Sequence, residues 1–188
     1  MDQMEYWIVY NVETFAEVYR GSGDPGSSVY QQLQPGLGLI VVPFDVIQEG
    51  ATNLEALKAA AAANVDLTAD QFCLRFLTAG ETQMARYLRK ETEARAWVLD
   101  QSTRVPFLQA EAKERGITIE VLVPEVIARA DEWETIGALV EGKRMGAKDA
   151  LARAETFGDV VRLFKVDWAA LIVEAFTPAP EEPAVPTA

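Results

Sequence analysis

Residues 118–156 read TIEVLVPEVIARADEWETIGALVEGKRMGAKDALARAET. Val126, Ala130, Trp133, Gly137, Val140, Arg144, Ala147, Leu151 and Ala154 recur at alternating steps of four and three. That is the spacing of an apolar seam on one long helix, with Thr118 as its N-cap. The seam is interrupted: Gly137 and Arg144 stand where a strong coiled coil has Leu or Ile. Pro124 should kink the first turns, and Gly142 and Gly146 each weaken the middle by roughly 1 kcal/mol relative to alanine. The stretch is therefore expected to be the long arm of a helical hairpin. Small residues such as Gly137, Ala147 and Ala154 would let a neighbouring helix approach closely, and an intramolecular partner and a second chain remain equally open.

Outward from this helix, the N-terminal side changes period. YWIVYN at residues 6–11 is aromatic and β-branched, and FAEVYR at residues 15–20 alternates, so the two read as a hairpin with its turn at residues 11–14. GSGDPGSS at residues 21–28 is a loop; it lacks the Lys-Ser/Thr of a phosphate-binding loop. Residues 29–32 form a short strand candidate. Residues 34–36 make a turn, and LIVV at residues 39–42 is a strand ended by Pro43. A small sheet of this kind must pack on helix or on a partner.

From Asn53 the pattern is helical, with Thr52 or Asn53 as the cap and an apolar line through Leu54, Leu57, Ala61, Val65, Phe72, Phe76 and Leu77. One helix or two over residues 53–77 both fit, with Ala79-Gly80 as the stop. Thr82 caps a helix over residues 83–99, whose apolar line is Met84, Tyr87, Leu88, Ala94, Trp97 and Val98. Arg86, Arg89, Lys90 and Glu93 fill its solvent face. Pro106 opens a short helix closed by Gly116. Residues 157–158 break the long helix. Residues 159–176 then form one last amphipathic helix with Val161, Phe164, Trp168, Leu171, Ile172 and Phe176 in register. The end, TPAPEEPAVPTA, is Pro-, Ala- and Glu-rich and is expected to be disordered or extended.

The expected fold class is therefore α+β: a small N-terminal antiparallel β-sheet, followed by a predominantly helical region of long amphipathic helices. The divisions expected are residues 1–50 for the sheet as a docking domain, 51–176 for the helical domain, and 177–188 for the tail.

The 188 residues carry 17 Lys and Arg against 29 Asp and Glu, a net charge of -12, which argues against contacts with nucleic acid or an anionic membrane. Histidine is absent, so Ser-His-Asp and Cys-His mechanisms and His-bearing zinc sites are unavailable. The single cysteine, Cys73, excludes an intrachain disulfide and lies in an apolar setting. No secretory signal is visible and no apolar run approaches a bilayer span. Asp131, Glu132 and Glu134 cluster on the long helix, but a solvated charged face explains them. Asp66, Asp70 and Glu49 lack the order of a calcium loop. Trp97, Trp133 and Trp168 read as core anchors. No catalytic, cofactor or metal residue is assigned, and no enzyme is expected. A concave pocket with three or more converging carboxylates and a cation would reopen a hydrolase or lyase reading. The candidate interaction surface is Tyr6, Trp7, Ile8 and Tyr10 of the hairpin with Val161, Phe164, Trp168, Leu171, Ile172 and Phe176 of the last helix.

Three stretches carry a resemblance: IVYNVETFAEVYRGSG (8–23), with Phe15 where the family often has Gly; ADQFCLRFLTAGETQMARYLRKETEARAW (69–97), with its T-x-G-x-x-Q turn; and RVPFLQAEAKERGITIEVL (104–122) followed by ADEWETIGALVEGKRMGAKDAL (130–151). Together the chain resembles small tail-associated proteins of tailed bacteriophages and prophages, encoded near tail-fibre genes. The resemblance implies a structural virion protein, a tail-fibre or baseplate adaptor working on other tail proteins; the long seam and the apolar last helix lead us to expect a multi-copy setting or a homo-oligomer. It implies location in the virion tail, and in the host cytoplasm during assembly. An assembly chaperone for tail fibres, not retained in the particle, is the alternative.

Overall fold

The computed structural model describes residues 4–47, 50–76 and 81–176, with the side chains of residues 81–82 and 174–176 outside that description. The chain is α+β, as its patterning predicts. Strands β1 (Glu5–Asn11), β2 (Glu17–Gly23) and β3 (Leu37–Val42) form one antiparallel sheet in the order β2-β1-β3. Helices α1 (Leu54–Cys73), α2 (Glu81–Leu99), α3 (Pro106–Arg115), α4 (Ile119–Arg153), α5 (Phe157–Phe164) and α6 (Ala169–Phe176) follow.

The chain divides into two compact units: Met1–Gln71 with Glu141–Asp167, and Phe72–Val140 with Trp168–Ala188. Residues 1–50 fall in the first unit together with residues of α1, α4 and α5. Three strands expose more apolar face than they can bury among themselves, and the first unit adds helical residues to cover it.

In that unit the hairpin turn is built by Asn11, whose side-chain oxygen accepts the Glu13 and Thr14 amides at 2.9 Å each. Phe15 follows with φ 57°, a left-handed conformation that glycine adopts without strain. Its ring stacks on Tyr10 at 6.2 Å, and the Arg162 guanidinium lies 4.7 Å from its centre. Residues 29–32 are not a strand: Ser27–Tyr30 is a 3-10 helix, pinned by the Ser28 amide donating to the Glu5 carboxylate at 2.8 Å.

Asn53 caps α1, accepting the Ala56 amide at 3.1 Å, and α1 runs as one helix through residues 64–68. Arg144, the charged residue in the seam, pairs with Asp66 of α1 at 2.5 Å, and Lys148 joins the same carboxylate at 2.8 Å. The seam's misfit is thus a polar register pair between two helices of one chain. Those hydrogen bonds, Lys148 first and Arg144 next, hold the Asp66 carboxyl below its ordinary range.

Beside β2, Arg20 donates to both oxygens of Glu17, to the Gly50 carbonyl at 2.8 Å and to the Thr52 hydroxyl at 2.8 Å, while Thr52 donates to Glu17 at 2.6 Å. Burial pushes the Glu17 carboxyl up, but the bonds from Arg20 and Thr52 outweigh it and leave it below its usual value. A depressed folded pKa contributes stability that is complete above the unfolded value of about 4.3 and disappears as pH falls through the folded value. Glu17→Gln should therefore flatten the acid limb below about pH 4.3 in urea midpoints measured against pH. An acid limb identical to that of the wild type would remove Glu17 from the account.

The long helix α4 covers Ile119–Arg153 and continues through Pro124. Gly137 does not serve a close neighbour: a Cβ there would meet the Trp133 ring of its own helix at 3.4 Å. Gly142 and Gly146 have open space where a side chain would go. Changing both to alanine should raise stability by about 1–2 kcal/mol, because helical glycine costs unfolded-state entropy and nothing here needs its smallness. An unchanged melting temperature would contradict this.

The last helix is two. Thr156, expected at the end of the long helix, instead caps α5, accepting the Asp159 amide while Asp159 accepts the Thr156 amide in return. The chain turns extended at Lys165 and resumes as α6 at Ala169. The expected stop at residues 79–80 and the expected tail at 177–188 lie outside the described residues.

Candidate functional site

Most of the ten residues expected to form a docking surface are core. Trp7, Ile8 and Tyr10 are buried in β1, Val161 and Phe164 in α5, and Trp168 and Leu171 at α6. Tyr6 and Ile172 are half-buried, with the Tyr6 ring 5.0 Å from Phe44. The Phe176 side chain lies outside the described residues. They fall in both units: Tyr6 to Tyr10, Val161 and Phe164 belong to the first, and Trp168, Leu171 and Ile172 to the second. An apolar stripe strong enough to bind a partner is also strong enough to serve as core, and residues 165–168 divide this one between two cores.

Other apolar residues of the first unit are exposed, among them Val18 and Tyr19 of β2. Val29 and Tyr30 are 76% and 82% exposed on the 3-10 helix, with Val41 and Phe44 exposed at and just after β3. Both outer strands are sheet edges, but they differ. β2 carries Glu17 and Arg20, and Arg20 ties residues 50 and 52 beside it. β3, LGLIVV, has no charged residue. Val12 donates to the Gly36 carbonyl at 2.9 Å, continuing the β1–β3 register. By the alternation of an antiparallel ladder, Gly38, Ile40 and Val42 bond to β1, and the N–H and C=O of Leu39 and Val41 point away from it. Among the described residues those outward groups have no partner.

The second unit holds a cleft of about 410 Å³ between α2, α3 and α4. Its floor is Met84, Tyr87, Leu122, Val126 and Trp133. Its rim is laced by Lys90–Glu111 and Arg115–Glu125, each at 2.8 Å, with the Lys90 ammonium 5.0 Å from the Tyr87 ring. Burial pushes the Glu111 carboxyl up, and the bonds from Lys90 and Arg115 bring it below its usual value. Glu91 also lines the cleft and pairs with Arg95, which reaches Asp131 at 2.6 Å. The carboxylates here are thus largely spent on neighbouring cations, and among the described residues no group of three His, Cys, Asp or Glu is placed to hold a metal.

One buried carboxylate escaped the sequence pattern. Glu93, expected on the solvent face of α2, is 3% exposed; it accepts the Phe107 and Leu108 amides at 2.9 and 3.2 Å and pairs with Arg89 at 3.2 Å. Leu88 and Val98, placed on the apolar line, are exposed instead. Nothing in the spacing of α2 alone could announce this, because the donors belong to another helix. Thr156-x-x-Asp159, by contrast, was a legible capping signal.

Among the described residues no helix is long and apolar enough to cross a membrane. No protein-family model, curated protein or solved structure matches the chain.

Proposed function

We propose that this chain is a non-enzymatic structural protein of a bacteriophage tail, a fibre- or baseplate-associated adaptor that works by protein–protein contacts. The observation that carries the reading is the resemblance spread over residues 8–23, 69–97 and 104–151. In support, the first unit exposes Val29, Tyr30, Val41 and Phe44, side chains that gain from being covered by another protein surface.

Mass spectrometry of tailed particles purified from a lysate of the strain that carries this sequence tests it. The chain should be present at a fixed ratio to the fibre or baseplate proteins. Its absence from particles, with recovery bound to unassembled fibres, would replace the adaptor by the assembly chaperone. Absence from both would sink the tail reading altogether.

A further inference from the structure

We propose that the cleft of the second unit binds the chain's own residues 177–188, TPAPEEPAVPTA, as a polyproline II strand. This rests on the cleft and on the sequence of that segment, and is independent of the phage reading.

The segment has the pattern of such a ligand. Pro180, Pro183 and Pro186 recur every third residue. Polyproline II has three residues per turn, so the three prolines share one face. Ligands of this kind dock in grooves lined by aromatic side chains, because proline presets the extended form and little entropy is lost on binding. The cleft offers that lining: Phe76, Tyr87, Trp133 and Met84 are all half-buried, with surface left to cover. Its volume of about 410 Å³ lies within the range of ordinary ligand clefts.

Charge selects this segment as the occupant. The chain carries a net charge of -12, yet the cleft holds two unengaged cations. Arg75 and Arg129 line it and are exposed, and among the described residues neither has a carboxylate partner. Glu132 alone stands against them, since the other lining carboxylates are held in the ion pairs of the rim. The segment brings Glu181 and Glu182 and no cation. Prolines laid on the aromatic floor therefore deliver carboxylates to the free guanidinia, whereas a basic proline-rich partner meets like charge there.

The segment also starts close by, in the same unit. Trp168, just before α6, stacks on Phe72 at 6.4 Å, and Phe72 meets Phe76 of the cleft at 5.4 Å. The eight residues of α6 cover about 12 Å. Residues 177–188 span about 37 Å as polyproline II, enough to return to Phe76 whichever way α6 points. The covalent tether gives the segment a local concentration that no free peptide matches.

A labelled synthetic peptide of residues 177–188 tests this on the full chain. Glu181→Arg with Glu182→Arg should release the chain's own segment. That double variant should bind the peptide at least roughly tenfold more tightly than the wild type, whose cleft is occupied. Its Trp133 indole N–H resonance should differ from that of the wild type and return on adding the peptide. Adding Arg129→Glu, at an exposed side chain, should abolish the binding. The wild-type Trp133 resonance should not move on dilution; a shift would make a second copy the donor of the segment, against the proposal. Equal peptide affinity in the wild type and the double variant, or no binding in either, overturns it. So does a Trp133 resonance common to both, or binding that survives Arg129→Glu.

Discussion

Replacing Glu93 by alanine lowers stability by about 3 kcal/mol, a large effect for a residue that sits among charged neighbours in sequence. Helix α3 starts at Pro106, has no acidic residue in its first turn, and its N-cap, Val105, offers no side-chain acceptor. The orphan amides of that first turn are satisfied from α2: one Glu93 oxygen accepts both Phe107 and Leu108, and the carboxylate's charge favours the positive end of the α3 dipole. Alanine leaves two donors without an acceptor and opens a void next to the core cluster of Ala94, Val105, Leu108, Leu122 and Val123. Glutamine keeps the volume and one acceptor oxygen but loses the charge, and should cost about half as much. Urea unfolding at constant m-value reads both. A loss under about 0.5 kcal/mol for Glu93→Ala would show that α3 is capped some other way.

Placing valine at Gly38 should be comparably damaging, at about 3 kcal/mol or more, and valine at Gly21 likewise. Each glycine lies opposite an aromatic residue of β1: Gly38 pairs with Tyr10 and Gly21 with Trp7. A Cβ at Gly38 would fall 2.5 Å from the Tyr10 ring, and at Gly21 less than the shortest real carbon contact from the Trp7 indole. The rings cannot step aside. Tyr10 is stacked on Phe15, which in turn carries Arg162, and Trp7 is 4% exposed. Gly36 and Gly26 make the internal comparison. Both have positive φ and open space, so alanine there meets only backbone strain of about 1–2 kcal/mol. Melting temperatures that rank Gly38→Val with Gly36→Ala would show that the ring-on-glycine packing is not what limits the sheet.

Much of the fold was legible in the chain. The seven-residue rhythm of residues 118–156, Asn53 before the first apolar helical run, and Pro106 and Gly116 at the two ends of α3 each act within one or two turns. The aromatic and β-branched run at residues 6–11 and the Asn11 turn act over an equally short range. Local sterics and hydrogen bonding are enough to settle those elements, and they settled α2 to α4 and the hairpin, while one helix or two over residues 53–77 stayed open. What they could not settle is which surface is hidden. Val161, Phe164, Trp168 and Leu171 look like one docking stripe because a helical wheel has no knowledge of the break at Lys165 or of the two cores on either side of it. Glu93 looks solvated because its partners, the amides of Phe107 and Leu108, come from another helix. Arg144 looks like a flaw in a zipper until Asp66, some eighty positions earlier, supplies the opposite charge. The chain by itself determined the hairpin and helices α2 to α4, since these follow from interactions between residues a few positions apart. The tertiary structure alone decided burial, the capping of α3 and the Arg144–Asp66 pair, since each is a pairing of groups far apart along the chain.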